Sequence, residues 1–268
     1  MIRMIQWTCV LLLTMLLTDT APAQEASAGP DDKFLKVTII YDNFQGDKKL
    51  ETDWGFGCLV QYGENSLLFD AGRKVDLYKE NAQQLKIKPE KIPALFISHS
   101  HGDHTAGMEW IITSNPSIWC YLPSSFAMQL SSMGRLPANS VAVAEPRLLF
   151  DSFYSTGDDF EKFNEQGLVV RTADGSVLIT GCGHPGVVEM VSKAEEELEV
   201  DIHTVIGGLH LLRTPDREVE QIAEKLKQMG VSRICPTHCT GDQAIEILKE
   251  SFGEGYIAGG TGTEIVIE

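Results

Sequence analysis

The sequence predicts an α/β fold in which two β-sheets pack against each other and helices cover the outside. Three observations predict it. Short apolar runs of strand length alternate with segments whose apolar residues recur every three and four positions. Each half of the chain carries a hairpin signal. The strands run from near residue 35 to the end of the chain with helices interleaved, an order that closes as sheet on sheet with helices outside. A chain of 268 residues, 43% hydrophobic and 22% charged, is long enough for one large or two small domains with a true core.

Residues 1–23 read as a secretory signal peptide. Arg3 supplies a positive start, residues 9–17 an apolar run, and Ala21-Pro22-Ala23 a small-x-small cleavage site. That run is too short to span a bilayer comfortably, so no stable membrane insertion is expected after cleavage. The expected product is exported, periplasmic or secreted, and begins at Gln24. Residues 24–34 are small and polar and read as a disordered lead-in. Residues 35–268 make the folded domain. Cys9 leaves with the signal, so Cys58, Cys120, Cys182, Cys235 and Cys239 remain. An odd number in an oxidising compartment implies at least one unpaired thiol or a metal ligand.

Within the domain, residues 35–41 form a strand. Residues 57–62 and 66–69 form a hairpin about Gly63-Glu64-Asn65 that ends in Asp70-Ala71-Gly72. Val75, Tyr78, Ala82 and Leu85 mark an amphipathic helix ending near Pro89. Residues 94–97 form a short buried strand, and residues 105–113 look helical. Residues 118–122 form a strand, followed by Pro123 and a short helix. Residues 137–166 are the least regular stretch. Their aromatics, Phe150, Phe153, Tyr154, Phe160 and Phe163, suit either connecting hairpins or the wall of a substrate pocket. Residues 168–171 and 177–180 pair around Ala173-Asp174-Gly175. A helix over 187–198 and a strand over 203–206 follow. Val219, Ile222, Ala223, Leu226 and Met229 mark a helix, residues 233–235 a strand, and Ala244, Ile245, Leu248 and Phe252 a last helix. A pair of short strands closes the chain. His203 begins a strand after a charged helix and reads as a surface residue.

The chemistry concentrates in His99-Ser100-His101-Gly102-Asp103-His104, directly after the buried strand. Three of the chain's seven histidines fall in these six residues, which makes chance a poor account. In extended chain His99 and His101 point the same way and can face one metal. Asp103 and His104 diverge from that pair and can face a second. His184, His210 and His238 each follow an apolar strand and can reach the same rim. Glycines around His184, in Thr180-Gly181-Cys182-Gly183-His184-Pro185-Gly186, let the backbone turn the ring back toward a metal. His238, in Pro236-Thr237-His238-Cys239-Thr240-Gly241, repeats this at the next strand end. His210 reads as a catalytic or substrate-contacting residue, or as a packed one.

The H-x-H-x-D-H cluster resembles the metallo-β-lactamase superfamily. The ordered set of Tyr41-Asp42-Asn43, Leu68-Phe69-Asp70-Ala71-Gly72, the six-residue cluster, the His184 turn, Ile206-Gly207-Gly208-Leu209-His210-Leu211 and the His238 turn resembles one group within it. That group is named after dihydropterin-methyl-ribofuranosylaminobenzene 5′-phosphate synthase, and the resemblance covers about residues 35–265. It implies an αββα sandwich and a site for two metal ions. His99, His101 and His184 would hold the first, and Asp103, His104 and His238 the second. Asp70 would orient ligand histidines from behind through a hydrogen bond. Cys182 stands where the superfamily usually has a metal-bridging Asp, and is either a thiolate ligand or a small packed residue. Trp54 and Leu122 depart from the group, where a histidine is usual in each place.

The expected function is that of a metal-dependent hydrolase using a metal-held hydroxide on a small ester, lactone or phosphodiester. Zinc, as two ions, is the default for a His-rich site, and manganese or iron suits its carboxylate side. A net charge of −16 and a pI near 4.8 disfavour nucleic acid as partner. The alternatives are a transferase of the synthase type and a non-catalytic periplasmic metal-binding or ligand-binding protein. Export is checked by N-terminal sequencing of secreted material. The mature chain is expected to begin at or near Gln24, and a cytoplasmic product that retains Met1 overturns the assignment.

Overall fold

A computed structural model describes residues 34–267. The signal and all of the lead-in except Phe34 lie outside the described residues. β1 (Leu35–Tyr41), β2 (Gly57–Tyr62) and β3 (Asn65–Phe69) are buried over most of their lengths, on both faces. The chain continues through α1 (Val75–Gln84), β4 (Ala94–Phe96), a single turn α2 (Gly102–Thr105) and α3 (Met108–Ser114). β5 (Trp119–Pro123), α4 (Ser124–Ser132) and β6 (Ser140–Val143) complete the first half. The second half runs β7 (Arg147–Phe150), β8 (Phe153–Ser155), β9 (Leu168–Thr172), β10 (Gly175–Thr180) and α5 (Val187–Leu198). It ends with β11 (Ile202–Gly208), α6 (Asp216–Gln228), β12 (Arg233–Thr237), α7 (Asp242–Phe252) and β13 (Glu264–Ile267).

One sheet has seven strands in the order β13-β1-β2-β3-β4-β5-β6, the other six in the order β12-β11-β10-β9-β8-β7. Each begins as antiparallel hairpins and becomes parallel, over β3 to β6 in the first and β10 to β12 in the second. Parallel neighbours need crossover connections, and these supply the covering helices. The two-residue period of a strand then sorts side chains between layers. Leu67 and Phe69 point into the core between the sheets, while Leu68 points out beneath α1. Val177 and Ile179 face the same central core, while Leu178 packs beneath α5. The result is the αββα sandwich expected from the sequence.

Three details differ from expectation, and one open alternative is decided. The helix expected over 105–113 starts at Gly102 and breaks at Ala106-Gly107, whose amides bond to the Gly72 and Ala71 carbonyls. Asp103 and His104 therefore ride on one helical turn rather than in a loop. The irregular stretch 137–166 supplies the edge strands β6 and β7 and the strand β8 beside β7, with Phe150 and Phe153 packed in the central core, the connecting-hairpin alternative. Only one strand closes the chain, because Tyr256 makes a lone bridge to Ile234 and a Gly-rich turn follows it. His203 is half-buried in β11, with a buried Nδ1 that has no hydrogen-bond partner among the described residues. No described helix is long and apolar enough to cross a membrane.

Phe96 lies between the sheets at 0% exposure, its ring stacked on Phe69 at 5.3 Å. Phe96→Ala is expected to cost about 3–5 kcal/mol, read as a lowered denaturant midpoint. A loss below about 1 kcal/mol would mean that the sheets close the gap, since relaxation sets the cavity cost.

Candidate metal centre

Five strands deliver the ligand-type side chains to one rim. Asp70 follows β3, the His99–His104 cluster follows β4, and Cys182 and His184 follow β10. His210 follows β11, and His238 and Cys239 follow β12. All are carboxyl ends, where the strands stop pairing and side chains are free to converge. His210 and His238 sit at φ 56° and 50°, and Asp70 at 54°. A non-glycine residue rarely adopts this left-handed conformation, and here it re-aims three side chains at the moment their strands end.

His99, His101 and His184 bring one ligand atom each within 4.8 Å of the others, and so do Asp103, His104 and His238. In the first group the Nε2 of His99 faces the Nδ1 of His101 at 3.0 Å. In the second, Asp103 lies 3.7 Å from His104 Nε2 and 3.5 Å from His238 Nε2. Cys182 stands between the groups, its Sγ 3.3 Å from His104 Nε2, and it also clusters with His99 and His104.

The far nitrogens of four histidines are all held. His104 Nδ1 donates to Asp70 at 2.7 Å. Ser98 gives its one proton to Asp70, so its oxygen accepts from His99 Nδ1 at 2.9 Å. His184 Nδ1 donates to Glu165 at 2.8 Å, and His238 Nδ1 to the side-chain oxygen of Asn43 at 2.9 Å. These partners assign the tautomer in each case, leaving the Nε2 lone pairs directed at shared space. The Nε2 of His238 is buried there without a hydrogen-bond partner. Converging nitrogens, an orphaned buried one and a carboxylate suit divalent transition-metal ions.

A family described as Anti-Pycsar protein Apyc1 matches residues 48–119, the stretch that contains the first ligand cluster. The chain is 26% identical to a 7,8-dihydropterin-6-methyl-4-(β-D-ribofuranosyl)-aminobenzene-5′-phosphate synthase of Methanocaldococcus jannaschii, over 83% of this chain and 93% of that one. A solved structure, Tm1679, described as a metal-dependent hydrolase of the β-lactamase superfamily, superposes with a TM-score of 0.72 at 26% identity, covering 86% of this chain and 98% of its own. The chain is a metallo-β-lactamase superfamily protein. Its likeness to the short form of human tRNase Z, with a TM-score of 0.57 at 17% identity over 86% of this chain and 98% of that one, is one of fold alone. Enzyme activity of the superfamily's metal-dependent hydrolase kind goes with this membership.

The electrostatics of this metallo-β-lactamase site follow from burial and pairing. Burial holds His99 well below the usual imidazole range, lowers His101, and brings His104 to about 3, so these rings are neutral lone-pair donors. Burial pushes the Asp103 carboxyl up, but the His238 and His104 rings that face it outweigh this and hold it below the carboxylate range. Glu165 behaves alike: burial raises it, and His99, His184 and the Gly183 amide together pull it low. Asp70 is pushed well up by burial, against the Ser98 bonds that lower it.

Two aromatic rings flank the rim. Trp54, 37% exposed, lies 4.7 Å from the His238 ring. Phe163 stacks on His184 at 4.3 Å and touches the rings of His99 and His101. His210 is exposed, its ring 4.4 Å from that of His184. Leu122, the other departure from the group's pattern, is fully buried under the outer helices of the first sheet.

Sequence reasoning missed Glu165 and the role of Asn43, while Phe163 takes the pocket-wall place that was one of two alternatives for its stretch. Glu165 accepts four bonds, from the Cys182, Gly183 and His184 amides and from the His184 ring. It lies in the irregular stretch, and no spacing rule ties it to a turn that begins beyond the next hairpin. Asn43 stood within a quoted motif without a role. Glu165→Gln keeps the shape and removes the charge. Metal affinity is expected to fall about 10–100-fold, measured by competition against a chromophoric chelator. Unchanged affinity overturns the positioning role of Glu165.

Proposed function

We propose that this protein is a binuclear metallohydrolase acting on a small-molecule ester, lactone or phosphodiester. The observation that carries the reading is a pair of three-ligand groups sharing one rim, with the far nitrogens of four histidines already held. His99, His101 and His184 hold one ion, and Asp103, His104 and His238 the other, with Cys182 placed between them. Zinc is favoured by the imidazole count, while manganese or iron suits Asp103. Metal ions bound there would bring a water's pKa to near neutrality and polarise the scissile carbonyl or phosphoryl group.

The chain's own residues do the rest. Asp103, held anionic between two histidines, orients the attacking water and takes its proton. His210 stands exposed beside His184, its ring 4.4 Å away, where it can contact the substrate. Trp54 and Phe163 pack on the substrate's apolar part and limit water at the rim. Asp70, Ser98, Glu165 and Asn43 keep the rings in place.

A condensing transferase, suggested by the name of the M. jannaschii relative, is the second reading. A phosphorylated substrate would call for cations at the rim, yet Lys162 pairs with Glu189 and Arg147 is exposed on the edge strand β7. A charge of −16 favours a small substrate over a nucleic acid. The basic and apolar pattern of residues 1–23 supports export of the protein.

Metal analysis of the purified mature chain, coupled to a panel of chromogenic esters, lactones and phosphodiesters, tests the reading. About two ions per chain and metal-dependent turnover of one class are expected. Asp103→Asn should lower kcat/KM by about 10²–10⁴-fold, and His99→Ala should lower bound metal and activity together. Full metal content and activity in His99→Ala, or one ion per chain at saturation, refutes the binuclear assignment.

A further inference from the structure

We propose that Cys182, His210 and Cys239 form a third cation position on this rim, one that takes a thiophilic ion such as zinc, cadmium or copper(I). The two sulfurs and a ring nitrogen of His210 all lie within 4.8 Å of one another. Around a tetrahedral zinc, sulfurs at about 2.3 Å and an imidazole at about 2.0 Å stand roughly 3.5–3.8 Å apart. Closing the cluster onto an ion therefore needs side-chain movements of at most about an ångström. The donors come from the ends of three adjacent parallel strands, β10, β11 and β12. Both cysteines are 4% exposed while His210 is exposed, so the soft ligands are shielded and the ion still has an entry path.

The backbone is shaped for this convergence. A Cβ on Gly208 would lie 2.8 Å from the Cys239 sulfur, 3.1 Å from the Cys182 Cα and 2.4 Å from the Gly181 carbonyl oxygen. Any larger residue would push the two cysteines apart. His210, beside them, holds the uncommon left-handed conformation at φ 56°. The Cys239 thiol donates to the Cys182 carbonyl oxygen at 3.3 Å, so the two turns are already in contact. On binding, Cys182 and Cys239 each release their proton to solvent and form a metal–sulfur bond, and neutral His210 adds a nitrogen lone pair. Cys182 also touches His104, so its thiolate links this position to the second group of the proposed binuclear centre. The position is separate from that centre in its other two ligands and does not depend on the hydrolase reading.

The test uses the full mature chain, stripped of metal under reducing conditions and titrated with cobalt(II). Bound metal, thiolate-to-cobalt charge-transfer absorption and the alkylation rate of each cysteine are followed. A final equivalent should bring a charge-transfer band and slow alkylation of Cys239 by about tenfold or more, since a coordinated thiolate is no longer a free nucleophile. Cys239→Ser should lose about one equivalent and weaken the band by about half, one of its two thiolates being gone. His99→Ala, which removes no ligand of this position, should keep the band. If Cys239→Ser does not fold, His210→Ala, an exposed change, should weaken the final equivalent in the same way. A band unaltered in both variants and lost only in Cys182→Ser overturns the proposal and leaves Cys182 as a ligand of the second group. Equal alkylation of Cys239 with and without cobalt also overturns it, as does a Cys182–Cys239 disulfide in protein purified without reductant. An intact band in a chain without hydrolase activity would instead sink the functional reading and leave this site standing.

Discussion

The centre depends on one buried carboxylate being fully satisfied. Asp70 is 0% exposed and has no lysine or arginine beside it among the described residues. A carboxyl in that position is costly unless hydrogen bonds replace water. The replacement comes from the Ser98 amide at 2.7 Å, the Ser98 hydroxyl at 2.7 Å and the His104 ring at 2.7 Å. Those bonds tie the end of β3 to the segment after β4 and to α2. They also constrain the opposite sheet. A Cβ on Gly181 would meet Asp70 at 2.9 Å and the Ser98 hydroxyl at 2.1 Å, so the turn that carries Cys182 and His184 must begin with glycine.

The second half repeats the device with different chemistry. Glu165 is equally buried, but three of its four donors are backbone amides of the His184 turn. Burial raises both carboxyls; at Glu165 the His99 and His184 rings and the turn's amides outweigh it and draw the group low, while at Asp70 the Ser98 amide and hydroxyl do not, and it is pushed up. One half thus orients its histidines from a strand end, the other from a loop. The loop that brings Glu165 also brings Phe163 onto the rings of His99, His101 and His184, so orientation and an apolar wall come from neighbouring positions.

Much of this was legible in the sequence because local rules decide it. The two- and four-residue periods identify most strands and helices, and histidines placed just after apolar runs reach the rim because every parallel strand ends there. What stayed hidden depends on contacts between distant segments. Glu165 finds His184 across an intervening hairpin, and Asn43 reaches His238 across 195 positions. The break at Ala106-Gly107 was missed because periodicity continues through it, whereas its cause is a pair of amides bonding to Gly72 and Ala71. His203 was read as surface from its charged neighbour, yet its alternation within β11 turns it partly inward. Leu122 was weighed as a site difference and is a core residue, whereas Trp54, weighed equally, does stand at the rim.

The charge pattern of the rim explains why its histidines need so much support. Burial strips His99 and His104 of their protons, so they contribute dipoles and lone pairs rather than positive charge. Asp103 and Glu165 stay anionic beside them, and their described ion-pair partners are histidines, not lysine or arginine. A cluster built this way has negative charge and converging lone pairs but no fixed cation of its own. In a protein core that imbalance is unfavourable, and the rings would turn toward water if nothing restrained them. The hydrogen bonds that four rings donate to Ser98, Asp70, Glu165 and Asn43 restrain them. They keep the site in an arrangement that is poor for the bare chain and good for a cation, so that part of the free energy of folding is spent on preorganisation and regained when metal ions bind.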